Sequence, residues 1–159
     1  MRLNTASQVI SLARKLEEDG ACFYEILARC DGVNQEMWLT FAKENKKSIA
    51  QVEMAYYGVI TDAIEGCFAF DMDPDEYTTE ARLAEGATRA DALRQAIEME
   101  ERTLRFYSVA AAQSKSLLAD VPRIFSISAK KRGERLQRLK AASEKTIPKV
   151  DHTIGKGLP

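Results

Sequence analysis

The chain has 159 residues, about the length of one domain, and 45% of them are apolar, which is enough for a buried core. Lysine and arginine (23) nearly balance aspartate and glutamate (24), so the net charge is −1. That balance argues against a generally basic nucleic-acid-binding chain and against an acidic disordered chain. We predict one domain over residues 1–147, followed by a flexible tail over 148–159 that holds the single histidine, His152.

The number of cysteines and the hydropathy of the sequence indicate the cellular compartment of the protein. Cys22, Cys30 and Cys67 form no Cys-x-x-Cys pair, and an odd, sparse set is typical of a reducing compartment, with buried thiols acting as small apolar side chains. No uninterrupted apolar run approaches the roughly 18–20 residues that span a bilayer. The apolar stretch near the N-terminus is too short and too charged for a signal peptide. We therefore expect a soluble cytoplasmic protein with no membrane partner.

The first helix is predicted over about residues 7–30, with Thr5 or Ser7 as N-cap and Asp31-Gly32 as the stop. Apolar or small residues recur along one face at helical spacing: Val9, Leu12, Ala13, Leu16, Gly20, Phe23 and Leu27. A second helix begins near Asn34, and its apolar stripe weakens over 61–66.

A third helix opens at Thr88, a good N-cap, with Asp91 in the first turn, where a carboxylate suits the helix dipole. A fourth starts at Asp120, with Pro122 in the first turn, where the missing N–H costs little. Short turns join helices one to two and three to four, whereas a much longer segment separates helices two and three. These features predict an all-α protein, an antiparallel four-helix bundle with one long crossover between helices 2 and 3.

Three of the helices carry a carboxylate on the apolar stripe. Residues 16–24 (LEEDGACFY) and 99–107 (MEERTLRFY) share Glu-Glu and Phe-Tyr at the same spacing, so Glu17 corresponds to Glu100. In helix two, Glu44 takes the stripe position between Phe41 and Ser48. A buried unpaired carboxylate is costly and normally finds a metal, a partner or a proton. The alternative is that one or two of these carboxylates lie at the edge of the stripe and reach water.

From about residue 7 to residue 144, the chain resembles the rubrerythrin-related branch of the ferritin-like superfamily. The resemblance is carried by 16–24 (LEEDGACFY), 41–44 (FAKE) and 92–101 (ALRQAIEMEE), which runs on to Phe106-Tyr107. It implies a four-helix bundle, often a homodimer, with a buried di-iron site that handles oxygen, peroxide or stored iron. The family's ligands are a Glu from each of two helices and a Glu-x-x-His from each of the other two. Glu17 and Glu100 stand where the two single glutamates stand.

The remaining ligand positions depart from the family pattern. Glu44 matches the Glu of the first Glu-x-x-His, but Lys47 takes the His position. On helix four, Lys131 replaces the Glu and Glu134 replaces the His. His152 lies well past the bundle, and no Cys-x-x-Cys pair is present for the rubredoxin-like domain of full rubrerythrins. A standard di-iron site with two histidines is therefore not expected.

Two functional hypotheses follow from these departures. The first is a non-catalytic scaffold or binding protein without a cofactor, in which Lys47 and Lys131 compensate the charge of the inward carboxylates. The alternative is a metal-binding oxidoreductase of rubrerythrin type, with weakly bound iron, manganese or zinc at an all-carboxylate site. Its ligands are four glutamates: Glu17, Glu44, Glu100 and Glu134. Lys131 argues against the alternative, because an ammonium group repels a divalent cation.

A third hypothesis is nucleic-acid binding through the basic helix four. Its cations are Lys130, Lys131, Arg132, Arg135, Arg138 and Lys140. A basic stripe can follow phosphates, but a solvated helix face is commoner, and no aromatic residues interleave this one. Nucleic acid is therefore not the expected partner.

A homodimer is the expected assembly. The family resemblance implies it, and the chain carries large side chains that one thin bundle cannot easily bury: Trp38, Tyr56, Tyr57, Phe68 and Phe70.

Overall fold

The computed structural model describes residues 1–57, 69–80, 82–115 and 120–146. These ranges contain four α-helices and a short 3-10 helix: α1 (Ala6–Cys30), α2 (Gln35–Tyr57), the 3-10 helix Pro74–Glu76, α3 (Arg89–Gln113) and α4 (Asp120–Thr146). No β-strand forms within them, although Leu3 and Met72 make an isolated antiparallel bridge. The all-α prediction is confirmed for this part of the chain. None of its helices is both long enough and apolar enough to cross a membrane.

The helix starts follow the capping residues of the sequence. The Thr5 side chain accepts from the Gln8 backbone N–H at 3.3 Å, and the Gln8 side chain accepts from the Thr5 N–H at 3.2 Å. Thr88 and Asp91 form the same reciprocal capping box at the start of α3. The predicted weak stripe over 61–66 and the predicted tail over 148–159 lie outside the described residues.

α1 packs mainly against α2, and α3 packs mainly against α4. Both pairs are antiparallel. In the first pair, Arg14 meets Glu53 and Lys46 meets Glu25. In the second pair, Tyr107 near the C-terminal end of α3 packs against Phe125 near the start of α4, whereas the N-terminal half of α3 packs in one cluster with Leu139. Smaller contacts join α2 to α4 and α1 to α3, so the four helices enclose a shared interior.

That interior has two apolar parts with polar side chains between them. The first part contains the N-terminal half of α1, the C-terminal half of α3, and Val52, Tyr56 and Phe125. The second contains the C-terminal end of α1, the N-terminal half of α3, and Trp38 and Leu139. Between the two, the helices bury a polar layer: Glu17, Asn45, Ser48, Glu100, Thr103, Ser128, Arg132 and Arg135.

Asp31 fastens the turn between α1 and α2 to the start of α3. Its buried carboxylate accepts from Asn34 Nδ2 at 2.9 Å, Trp38 Nε1 at 3.1 Å and Arg89 Nε at 3.0 Å. Burial alone would raise the pKa of Asp31, but these three donors outweigh it and hold the pKa below its usual value. The predicted helix stop is therefore also a tertiary anchor.

The expectation that the thiols are buried is wrong for Cys22, which is exposed on α1. Its position places it off the buried stripe, because Phe23 and Tyr24 occupy that face. Cys30 is half-buried at the end of α1, and both thiols are free. Cys67 lies outside the described residues.

Candidate functional site

Two glutamates and two tyrosines meet at the centre of the polar layer. Glu17 on α1 and Glu100 on α3 are fully buried, as the sequence predicts. The Tyr24 hydroxyl donates to Glu100 Oε1 at 2.5 Å, and the Tyr107 hydroxyl donates to Glu17 Oε1 at 2.6 Å. The internal repeat therefore forms a reciprocal pair, in which the tyrosine of each helix binds the glutamate of the other.

Arg132 on α4 bridges the two carboxylates. Its Nη1 donates to both oxygens of Glu100, at 2.9 and 3.0 Å, and its Nη2 donates to Glu17 Oε2. The arginine itself is only 3% exposed. One guanidinium therefore spans α1, α3 and α4 and neutralises charge on two helices at once.

Arg135, one turn further along α4, extends this network to α2. Its Nη1 donates to Glu100 Oε1 at 2.8 Å and to Asn45 Oδ1 at 2.6 Å. Its Nη2 donates to Glu44 Oε2 at 3.0 Å, and the Glu44 side chain is 49% exposed. Asn45 Nδ2 in turn donates to the Glu17 carbonyl at 3.4 Å. We call the set Glu17, Tyr24, Asn45, Glu100, Tyr107, Arg132 and Arg135 the ionic core.

The electrostatics of the ionic core favour its charged form. Burial alone would raise the pKa of Glu100, but the guanidinium groups of Arg132 and Arg135 outweigh burial and hold that pKa below its usual value. Burial would likewise lower the pKa of Arg132, yet Glu100 and Glu17 raise it well above the usual value. Two buried cations therefore face two buried carboxylates.

The two tyrosines remain neutral hydrogen-bond donors. Burial, and next the charge of Glu100, raise the pKa of Tyr24 well above its usual value. Burial, and next the charge of Glu17, do the same for the pKa of Tyr107. Neither phenol therefore supplies a proton at neutral pH, so both act as fixed donors.

The absence of a side chain at Gly20 leaves space for the Asn45 side chain. A Cβ atom built on Gly20 would overlap the Asn45 amide nitrogen. The missing side chain lets α2 bring a polar amide against α1, where it connects Arg135 to the Glu17 backbone. Gly20 was predicted as a member of the apolar stripe, and its tertiary role is this close approach.

The described part of the predicted stripe of α2 is buried, but the polar position predicted within it is wrong by one residue. Asn45 is fully buried, whereas Glu44 is directed to the outer side and reaches the interior only through Arg135. Both choices fit the helical period, because residue 44 and residue 45 each lie three or four positions from Phe41 and Ser48. The interior takes the neutral amide, which costs less to bury than a carboxylate.

On α4 the predicted ligand positions, 131 and 134, are likewise displaced by one residue from the buried positions. Residues 132 and 135 face inward, whereas Lys131 and Glu134 are exposed. The hypothesis that Lys47 and Lys131 neutralise the inward glutamates is therefore wrong: both lysines are exposed, and Lys131 Nζ donates to Gln51 Oε1 at 3.4 Å. Arg132 and Arg135 perform that role, because a planar guanidinium can bind two carboxylates at once.

The four proposed metal ligands do not converge on one point. Glu17 and Glu100 meet, but Arg132 lies between them as a donor to both, and Glu134 is exposed on the outer side of α4. Among the described residues, no group of three or more histidine, cysteine, aspartate or glutamate side chains is arranged to hold a metal ion. The side chains around Glu17 and Glu100 therefore do not fit the di-iron centre that the family resemblance implies.

The sequence contained a signal for the two inward arginines. Residues 125, 128, 132, 135 and 139 continue one stripe of α4 at spacings of three and four, and all five are buried. Arg132 and Arg135 also belong to the run of cations in helix four that suggests nucleic-acid binding. Their burial removes two of the six cations on which the nucleic-acid hypothesis was based.

On the outer side of the ionic core, α2 and α4 border an open cavity of about 330 Å³. Its walls include Arg135 and the exposed residues that were predicted as ligand positions; the full lining is Phe41, Glu44, Lys47, Ser48, Gln51, Ser128, Lys131, Arg132, Glu134, Arg135 and Arg138. Comparison of the chain with protein-family models, with curated proteins and with solved structures found no match.

Proposed function

We propose that this chain is a non-catalytic binding or scaffold protein on a ferritin-like four-helix bundle, in which the ionic core takes the interior place of a di-metal centre. The observation that carries the proposal is Arg132, which donates to both Glu17 and Glu100. In the family that the sequence resembles, the corresponding glutamates are metal ligands; here a fixed guanidinium binds them.

The directions of the helices support the ferritin-like part of the proposal. Tyr24 pairs with Glu100 and Tyr107 with Glu17, so α3 runs antiparallel to α1. α2 also runs antiparallel to α1, and therefore α2 and α3 point the same way. This common direction supports a single long crossover between them, because such a crossover joins two helices that point the same way.

Charge balance argues against a metal at this position. The two arginines bind Glu17 and Glu100 and hold the pKa of Glu100 below its usual value, so the Glu100 carboxylate stays charged. A divalent ion between them would leave a large uncompensated positive charge in a buried site, which is costly. Arginine cannot give up its proton in a protein to relieve that cost.

Metal analysis tests the proposal. The chain would be produced in cells supplied with iron, manganese and zinc, purified without chelators, and analysed by mass spectrometry for bound metal. We expect no stoichiometric metal, no binding in an anaerobic Fe(II) titration, and no oxygen- or peroxide-dependent turnover. Stoichiometric metal with such turnover would contradict the proposal and favour the all-carboxylate oxidoreductase.

A further inference from the structure

The cavity between α2 and α4 carries more positive than negative charge. Its lining holds five cations, Lys47, Lys131, Arg132, Arg135 and Arg138, against the two carboxylates of Glu44 and Glu134. Glu17 and Glu100, behind the wall, balance two of those cations, and the whole set still has one positive charge in excess. A volume of about 330 Å³ lies at the lower end of the range for small-molecule sites.

Several of these cations have donors that the protein does not use. Arg135 is 4% exposed, and its Nε is buried without a hydrogen-bond partner in the described part of the chain. Lys47 and Arg138 make no ion pair with the described residues, and Lys131 has only a long contact to Gln51. The exposed Lys47, Lys131 and Arg138 therefore have donors available to a ligand in the cavity, whereas the Nε of Arg135 is buried away from it.

Phe41 packs against two arginines of the cavity wall. The guanidinium of Arg135 lies 4.7 Å from the Phe41 ring centroid, and that of Arg138 lies 5.0 Å from it. Stacking on an aromatic face holds a guanidinium while its N–H edge stays available to an acceptor. Arg138, which makes no ion pair with the described residues, therefore presents an oriented donor beside Lys47 and Lys131, which suits recognition of an anion with several oxygens.

We propose that this cavity binds a small phosphate-bearing anion, with Lys47, Lys131 and Arg138 as its donors. This inference deepens the proposed binding function, and it names the chemical class of the ligand. The excess of positive charge disfavours a cation, and the polar lining disfavours a wholly apolar ligand. The carboxylates of Glu44 and Glu134 at the same cavity limit the affinity by repelling the anion.

The first experiment measures phosphate binding by calorimetry and thermal unfolding, in EDTA, with sodium chloride at matched ionic strength as the reference. A phosphate monoester is compared with inorganic phosphate, to separate a free ion from an esterified ligand. We expect phosphate or its ester to bind saturably and to raise Tm above the chloride reference. Equal Tm values in phosphate, phosphomonoester and chloride would overturn the proposal.

Charge-removing variants at the cavity, with a control at the neighbouring Lys130, locate the site. Lys131→Gln and Arg138→Gln should each weaken binding by about tenfold, because each removes a charge-assisted hydrogen bond. Lys130→Gln removes the same charge from the next residue of α4, which does not line the cavity, and should leave the affinity nearly unchanged. Glu134→Gln removes a repelling carboxylate and should strengthen binding. Equal weakening by Lys130→Gln and Lys131→Gln would overturn the cavity as the site.

Three further outcomes separate this inference from other functions. If duplex DNA or RNA binds more tightly than phosphate and Lys130→Gln weakens it as much as Lys131→Gln, the ligand is a polymer and the proposal is wrong. If the protein lacks metal and also shows no phosphate binding, only this inference fails. If phosphate binds only to protein that retains metal, the proposed function fails together with it.

Discussion

The two buried arginines of α4 make most of the polar contacts in the interior of this protein. Arg132 and Arg135 reach three carboxylates, one amide and the shared interior, whereas Lys47 and Lys131 remain on the outer side. Lysine carries a compact point charge, but arginine presents a planar fork with five donors. A site with two facing carboxylates therefore suits arginine, because one side chain can bind both.

The energetic difference between Arg132 and its neighbour is testable. Arg132→Met leaves Glu17 and Glu100 buried without their shared partner, and loss of one member of a buried pair typically costs about 3–5 kcal/mol. Lys131→Met changes an exposed residue and should cost less than about 0.5 kcal/mol. Urea unfolding of both variants measures the free energies. Similar losses in the two variants would contradict the burial of Arg132.

The pH dependence of stability should report on Glu100. Its folded pKa lies below the usual value of 4.5, so near that pH the unfolded chain binds the proton and the folded chain does not. Acidification therefore favours unfolding, and the stabilisation from Glu100 is present above about pH 4.5 and is lost as the pH falls through the folded pKa.

Unfolding free energies measured at a series of pH values from neutral to acid test this expectation. Glu100→Gln should lower stability at neutral pH and reduce the dependence on pH. Glu98→Gln, at an exposed position on the same helix, is the control and should keep the wild-type dependence. An unchanged pH dependence in Glu100→Gln would mean that the carboxylate is not held in its charged form.

At the scale of the helices, two glycines that both lie within a helix have opposite surroundings. Gly20 on α1 lies against Asn45 of α2, whereas a Cβ on Gly133 of α4 would meet nothing within 4 Å. Helix propensity alone predicts that replacing either glycine with alanine stabilises a helix. The packing reverses that expectation at one position only.

Gly20→Ala should therefore destabilise the protein, because the new methyl group displaces Asn45 from the Glu17 carbonyl and from Arg135. Gly133→Ala should stabilise it by about 0.5–1 kcal/mol, the ordinary gain in helix propensity. Thermal unfolding of the two variants checks the opposite signs. A stabilising Gly20→Ala would show that α1 and α2 do not approach at this point.

At the scale of the whole molecule, the ionic core replaces apolar packing at mid-length. The apolar parts on either side bury Trp38, Tyr56 and Phe70, three of the side chains on which the expected homodimer was based. Tyr57 is 63% exposed, and Phe68 lies outside the described residues. The homodimer stays a prediction, and light scattering at micromolar concentration measures it: a monomer mass would contradict it.

Substitution of metal ligands tests which residues of α2 and α4 face the interior. Asn45→Glu, Ser48→His, Arg132→Glu and Arg135→His together would place a Glu-x-x-His pattern inward on each helix, beside Glu17 and Glu100. We expect this variant to bind Fe(II), because it removes both buried cations and adds four ligands. Anaerobic Fe(II) titration and circular dichroism with and without iron measure binding and folding.

The control places the same pattern one register outward. Lys47→His, Lys131→Glu and Glu134→His complete Glu-x-x-His from exposed positions that include Glu44. Because Arg132 and Arg135 remain on the buried carboxylates, this variant should bind iron no better than wild type. Tighter binding by the outward variant than by the inward one would restore the register that the sequence suggested.

The sequence by itself determined the helices and two of the three glutamates that it predicts on the apolar stripes, Glu17 and Glu100; it was wrong for Glu44. Thr5 and Thr88 begin their helices because their hydroxyls cap free backbone N–H groups, a local effect that needs no tertiary contact. Glu17 and Glu100 are predicted inward because each lies within an apolar stripe, and the repeat supplies a tyrosine seven residues further along each helix.

The tertiary structure alone decided that Asn45 rather than Glu44 is buried, and how Arg132 and Arg135 bind the two glutamates. At 3.6 residues per turn, positions 44 and 45 fit the stripe of α2 equally well, so the period cannot choose between them. The choice depends on contacts between helices: the space above Gly20 admits Asn45, and the facing carboxylates require a guanidinium rather than an ammonium group. Those contacts join residues on different helices, up to 115 positions apart for Arg132 and Glu17, and no local pattern encodes them.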